Sequence, residues 1–316
     1  MPLVSVIMNC YNSDKYLNEA LDSLYKQTFK DFEIIFWDNQ STDKSAEIAM
    51  SYGKPLRYFK GETFLPLGAA RNEALKKAEG KYIAFLDCDD RWAVDKLERQ
   101  IELIERLPKE VGFVYSNYYE LNMAHMEEVV AHKNPQPEGK VFGRFLNEYP
   151  VGMVTVLLRK SELDKVDTLF DENLNIAEEY DLFMRILYSC QAAYIHEPLA
   201  VYRIYPENTT NTKREKWPDE VIYVVNNLKS ILSESDKQRY VHELKLMELM
   251  AKLERAKILR TKGDNSGARE NIKFYIHLSK TSTIHNLRCL ARYIETYMPY
   301  KLSGLIRNNI NRFRRI

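Results

Sequence analysis

Asp87-Cys88-Asp89-Asp90 places three carboxylates within four residues, directly behind the apolar run YIAFL at 82–86. Carboxylates that close repel one another unless a cation lies among them. Hard divalent ions take one or two carboxylates together with substrate phosphates. A DxD at a strand end is therefore a place to hold a metal against a diphosphate, though such acids also favour the start of a following helix through its dipole. A second acidic group, Glu178-Glu179-Tyr180-Asp181, opens an amphipathic stretch far along the chain. A carboxylate fixed at a helix end is what a general base requires, and acids in a first turn are also expected on dipole grounds alone. Asp38-Asn39 can hydrogen-bond the edge of a nucleobase or simply turn and cap the chain. Arg71, beside Gly68, Ala69 and Ala70 near a helix start, works against the dipole there, and its guanidinium fork suits a phosphate.

The elements that carry these residues follow from periodicity. LVSVIMN (3–9) and FEIIFW (32–37) are short, β-branched or aromatic runs that end in polar clusters, as buried strands do. Between them Leu17, Leu21 and Leu24 recur at helical spacing, with Ser13 or Asp14 as cap. KSAEIAMSY continues as helix, LRYF (56–59) as strand, AARNEALKKAEG (69–80) as helix and YIAFL as strand. Such alternation predicts a mostly parallel sheet covered by helices, and ligands of such sheets bind beyond the carboxyl ends of the strands. The polar clusters at 9–13, 38–43 and 87–90 all fall there. A helix at 95–107, strands at 112–117 and 153–159, a helix at 180–189 and an extended segment at 192–205 follow. From 216 to 316 strand signals cease and an all-helical region is expected, with 258–276 read as a packed helical pair. The domain reading is 1–215 and 216–316.

Composition narrows the class. Lys plus Arg total 46 and Asp plus Glu 45 in 316 residues, a balance that gives no support for a nucleic-acid binder. Cys10, Cys88, Cys190 and Cys289 are scattered without a CxxC pair, so neither a zinc site nor a disulfide framework is indicated. The N-terminus has no signal-peptide pattern, and no apolar run approaches the ~20 residues of a membrane span. A cytoplasmic chain is expected.

In order, VSVIMNCYN, WDNQSTD, GAARNEAL, FLDCDD, AEEYDLFMR and YRIYPEN resemble the inverting family-2 nucleotide-sugar glycosyltransferases, over residues 3 to about 210. The resemblance implies the GT-A fold: an α/β, Rossmann-like sheet with helices on both faces, here followed by an all-helical region. It implies a nucleotide-sugar donor, with UDP- or dTDP-sugars favoured, a hydroxyl acceptor on a glycan or lipid-linked saccharide, and a divalent Mn or Mg ion. By position it assigns the nucleoside to Asn9, Tyr11, Asp38 and Asn39, with Asn39 where the family carries a second acid. Arg71 and Arg203 are assigned to the diphosphate, Asp87 to the nucleotide, and Asp89 with Asp87 to the metal. Glu179 is assigned as catalytic base, with Glu178 and Asp181 as rivals. Tyr205 stands where the family often has His.

Residues 299–316 bear Lys301, Arg307, Arg312, Arg314 and Arg315 among Leu302, Leu305, Ile306, Ile310 and Phe313. Such a basic amphipathic helix either lies on an anionic membrane surface or packs its apolar stripe on the body. No GxGxRxxP loop follows the first strand and no GxGxxG occurs, which argues against a nucleotidyltransferase and a dinucleotide oxidoreductase. The remaining alternative is a degenerate transferase that binds nucleotide sugar without turning it over.

Overall fold

The computed structural model describes residues 1–276. The chain divides into two units, Met1–Thr212 and a second that begins at Lys213. In the first, β1 (Val4–Cys10), β2 (Phe32–Asp38), β3 (Leu56–Lys60) and β4 (Tyr82–Phe85) are parallel. Joined to them are β5 (Arg91–Trp92), β6 (Val111–Asn122), β7 (Glu127–Val130), β8 (Leu157–Arg159) and β9 (Gln191–Ile204). The sheet order is β3-β2-β1-β4-β8-β6-β9-β5, with β7 paired to β6. Direction changes at β8, which runs antiparallel to both β4 and β6, so the sheet is mixed beyond its parallel N-terminal half.

Eight helices accompany these strands: α1 (Asp14–Tyr25), α2 (Ser45–Ser51), α3 (Leu67–Leu75), α4 (Lys96–Arg106), the single turns α5 (Phe142–Phe145) and α6 (Lys160–Leu163), α7 (Glu178–Ser189) and α8 (Thr209–Thr212). Val4, Val6, Met8 and Cys10 of β1 alternate onto one face. There they join Leu17, Leu21 and Leu24 of α1, Ala49 of α2, and Leu97, Ile101 and Ile104 of α4 in a single core. Ser5 and Glu33 face the other way and meet the chain that leaves α3. Ser5 Oγ donates to Glu33 Oε1 at 2.6 Å, and the N–H groups of Glu79 and Gly80 donate to Glu33 and Ser5 at 2.8 Å. This buried network fixes where β4 begins, and therefore where the acidic loop behind it ends up.

The expected strand at 153–159 is shorter than its apolar pattern implies. Met153–Thr155 forms a 3₁₀ turn, closed by Thr155 N and Oγ1 on the Gly152 carbonyl at 2.9 and 2.7 Å. In the second unit, α9 (Trp217–Ile231), α10 (Glu234–Arg239), α11 (Val241–Thr261) and α12 (Asn265–Ile276) follow one another. The turn between α11 and α12 uses Gly263 at φ +86°, and Ala256, Ala268 and Ile272 pack the pair together. Among the described residues no helix is long and apolar enough to cross a membrane. The basic segment 299–316, and Cys289, lie outside the described residues.

Candidate active site

Three parallel strands deliver their polar ends to one place. The register pairs Asn9 with Trp37 and Cys10 with Asp38. Asn9 carries a buried side-chain amide, and Trp37 a buried indole N–H, that make no hydrogen bond. Tyr11, just beyond β1, is half exposed and meets Phe64 edge to face at 4.7 Å. Asp38 is fully buried and bound within the protein: Tyr58 Oη donates to it at 2.6 Å and Ser41 N at 2.8 Å. Asn39 clips the following loop, donating to the Leu65 carbonyl at 2.8 Å and accepting from Leu65 N at 3.0 Å. The sequence brought Asp38 and Asn39 forward for hydrogen bonds to a base. In the fold each is held by a residue from farther along the chain, and Asn39 holds the loop that carries Phe64.

The acidic loop is built around two arginines. Arg71, near the start of α3, is buried, and its Nη1 donates to Glu178 Oε1 at 2.5 Å while Nη2 donates to Asp87 Oδ1 at 3.2 Å. Its guanidinium lies 5.5 Å from the Phe170 ring. One cation thus joins the end of β4 to the first turn of α7, whose Glu178 lies 107 residues beyond Arg71 in sequence. Arg203, on β9, donates from Nε to the Asp89 carbonyl at 2.7 Å and from Nη2 to Glu19 at 2.9 Å, and it stacks 4.0 Å over the Tyr16 ring. Its backbone N–H donates to Asp90 at 2.8 Å. Asp89 Oδ2 accepts from Tyr205 Oη at 2.7 Å. Burial, and next the charge of Asp87, hold the Asp89 carboxyl above its usual range; burial with both neighbouring acids pushes Asp90 far higher.

The first turn of α7 separates its three acids by partner. Glu178 is buried, with one oxygen on Arg71 and the other without a hydrogen bond. Asp181 is buried in an ion pair with Arg185 at 2.7 Å, whose guanidinium also donates to the carbonyls of Thr168 and Leu169. Glu179 is half-buried and pairs with no cation. Burial raises its carboxyl to about 8, with the charges of Glu178 and Asp87 adding and Arg71 opposing. Tyr118, Tyr149 and Tyr202 lie within its electrostatic reach, and the Tyr149 hydroxyl is buried without a hydrogen bond. Tyr202 opens the YRIYPEN segment, whereas Tyr118 and Tyr149 lie outside every motif of the sequence.

Beyond the parallel strand ends lie a buried arginine tied to the acidic loop and a carboxylate without a cation partner at a helix start, groups able to meet an anion and to take a proton. Residues 5–162 match the model of glycosyl transferase family 2, and the chain belongs to that family; it is a glycosyltransferase. An uncharacterized glycosyltransferase of Rickettsia typhi is 34% identical over 213 residues, 67% of each chain. The E. coli enzyme WfgD, a UDP-Glc:α-D-GlcNAc-diphosphoundecaprenol β-1,3-glucosyltransferase, is 31% identical over 186 residues, covering 58% of this chain and 70% of its own. Among solved structures, S. aureus TarS 1–349 in complex with UDP-GlcNAc superposes with a TM-score of 0.62 at 20% identity, over 94% of this chain and 81% of that one. This last likeness concerns the fold.

Proposed function

We propose that residues 1–212 catalyse single-displacement, inverting transfer of a sugar from a UDP- or dTDP-sugar to a hydroxyl of a lipid-linked or other glycan acceptor, with Glu179 as general base. The observation that carries the reading is the difference among the three α7 acids: Arg71 takes Glu178, Arg185 takes Asp181, and Glu179 alone has no cation partner. A carboxyl raised to about 8 is a stronger proton acceptor than an ordinary glutamate once ionised, which suits removal of an alcohol proton. Arg71 lends fixed positive charge where the leaving diphosphate develops negative charge. WfgD acts on a diphosphoundecaprenol-linked sugar, which supports the acceptor class and, with the basic segment at 299–316, a position at a membrane surface.

Asp87 and Asp89 are the residues that would hold Mn²⁺ or Mg²⁺. Their carboxylates are the hard oxygen donors such an ion takes alongside substrate phosphates. When bound, the ion neutralises charge on the leaving group. Asn9 and Tyr11 border the nucleoside end, where the unpaired amide of Asn9 is able to satisfy a base or ribose group.

Melting curves with UDP, dTDP, GDP and ADP, each with and without Mn²⁺, test this. At a hundred times its Kd a ligand that binds only the folded state adds about 2.7 kcal/mol. The expected result is a Mn²⁺-dependent rise with one nucleotide, abolished in Asp89→Ala. No rise with any nucleotide would refute the donor assignment and favour a degenerate module.

A further inference from the structure

Two free thiols meet where β1 ends and the acidic loop begins. β1 pairs with β4 at a constant offset, Val4 beside Tyr82 and Ile7 beside Phe85, and the Leu86 N–H carries the pairing one step further by donating to the Ile7 carbonyl at 3.1 Å. The same offset sets Cys10, the last residue of β1, abreast of Cys88. Their side chains enter one core with Met8 and Leu86. Cys88 Sγ donates to the Asn9 carbonyl at 3.3 Å, and the two thiols hydrogen-bond to each other. Both cysteines are unoxidised, 1% and 4% exposed, yet the side chain of Asp87, next in sequence to Cys88, is 37% exposed, so solvent comes within one residue of the pair. Neighbouring strands lie about 4.8 Å apart, inside the ~4.4–6.8 Å between Cα atoms that a disulfide spans.

We propose that Cys10 and Cys88 are a reversible oxidation site, at which hydrogen peroxide joins them in a disulfide that draws the acidic loop out of position. Peroxide first converts one thiol to a sulfenic acid and leaves as water; the second thiol then attacks that sulfur and expels its oxygen as a second water. Two S–H bonds and one O–O bond break, one S–S bond forms, and the peroxide takes up both electrons and both protons. A dithiol reverses the step. Cys88 stands between Asp87, which Arg71 holds, and Asp89, which Tyr205 holds. Closing the sulfurs from hydrogen-bond contact to about 2.05 Å takes Cys88 off the Asn9 carbonyl and pulls both acids with it. The pair follows from the fold alone; only its effect on UDP rests on the donor reading given above.

The test treats the folded full chain with hydrogen peroxide, alkylates the remaining thiols under denaturing conditions and maps the digest by mass spectrometry. The expected product is a Cys10–Cys88 peptide pair, lighter than the two reduced peptides by two hydrogens and cleared by dithiothreitol. Cys190, whose thiol burial pushes up to about 12, should still be alkylated. UDP binding, measured by calorimetry with Mn²⁺ present, should weaken by about tenfold on oxidation, the loss expected for one charge-assisted contact, and recover with dithiothreitol. Cys10→Ser, which keeps a hydrogen-bonding side chain, should bind UDP alike before and after peroxide. Thiols at 10 and 88 that stay alkylatable, or that end only as separate sulfinic acids, overturn the proposal, and neither result needs a variant to fold. A mapped disulfide with undiminished UDP affinity overturns it as well, since the loop would not have moved. A reduced protein that binds no UDP refutes the donor assignment instead, and the mapped peptides still decide whether the two cysteines are an oxidation site.

Discussion

Replacing Glu179 by Gln keeps the shape of the side chain and removes its charge, so stability and activity should move in opposite directions. The carboxyl rises from 4.5 to about 8 on folding. At ~1.36 kcal/mol per pKa unit this sets an upper bound of about 5 kcal/mol on what the ionised side chain costs the fold. The group still touches solvent, which screens part of that cost, and we take about 2–3 kcal/mol. Below pH 4.5 the folded and unfolded chains both hold the proton and the cost is absent. Between 4.5 and about 8 the unfolded chain releases its proton while the folded chain keeps it. Folding then binds protons, and stability falls as pH rises. Above about 8 the cost is complete. Melting curves of wild type and Glu179→Gln should therefore coincide near pH 4.5 and diverge to roughly 5–10 °C in favour of the variant by pH 8. Sugar transfer should fall by about 10²–10⁴-fold, as loss of a general base requires, with UDP binding unchanged. Wild-type transfer should itself rise with pH toward about 8 as Glu179 ionises. A melting-temperature difference that stays constant from pH 5 to 8 would refute the buried-carboxylate argument, and retained transfer would refute the role.

Arg71→Met should leave Glu178 and Asp87 facing each other without their shared cation, at a cost of about 3–5 kcal/mol in urea unfolding; a loss below ~1 kcal/mol would mean the ion pairs contribute little. Gly80→Ala sets a Cβ 2.5 Å from the Ser5 backbone nitrogen. Because backbone cannot yield as a side-chain tip does, it should cost about 3 kcal/mol in the same assay, and a neutral outcome would show that β4 can shift.

How far the sequence reached depended on how local each determinant is. β1, β2 and β4 were legible because every residue that makes them strands lies inside them, and the polar clusters behind them marked the site. The two short strands Arg91–Trp92 and Glu127–Val130 were not, since neither carries an apolar pattern and each exists only through its partner strand. The same distinction governs the chemistry. That Asp38 would be held by Tyr58 and Asn39 by the backbone of Leu65 depends on how β3 and its loop fold back. Choosing among Glu178, Glu179 and Asp181 was likewise closed to composition, because all three are acids in one helical turn. One local clue existed. Arg185 stands four residues after Asp181, the spacing of an intrahelical ion pair, and it removes Asp181 from the contest without any structure. Glu178 is set apart from Glu179 by its burial and by Arg71, 107 residues away. The proposed base is therefore singled out by where the cations go, and that is a property of the fold: moving the Arg71 guanidinium from Glu178 to Glu179 would exchange their proposed roles while leaving every motif in the sequence intact.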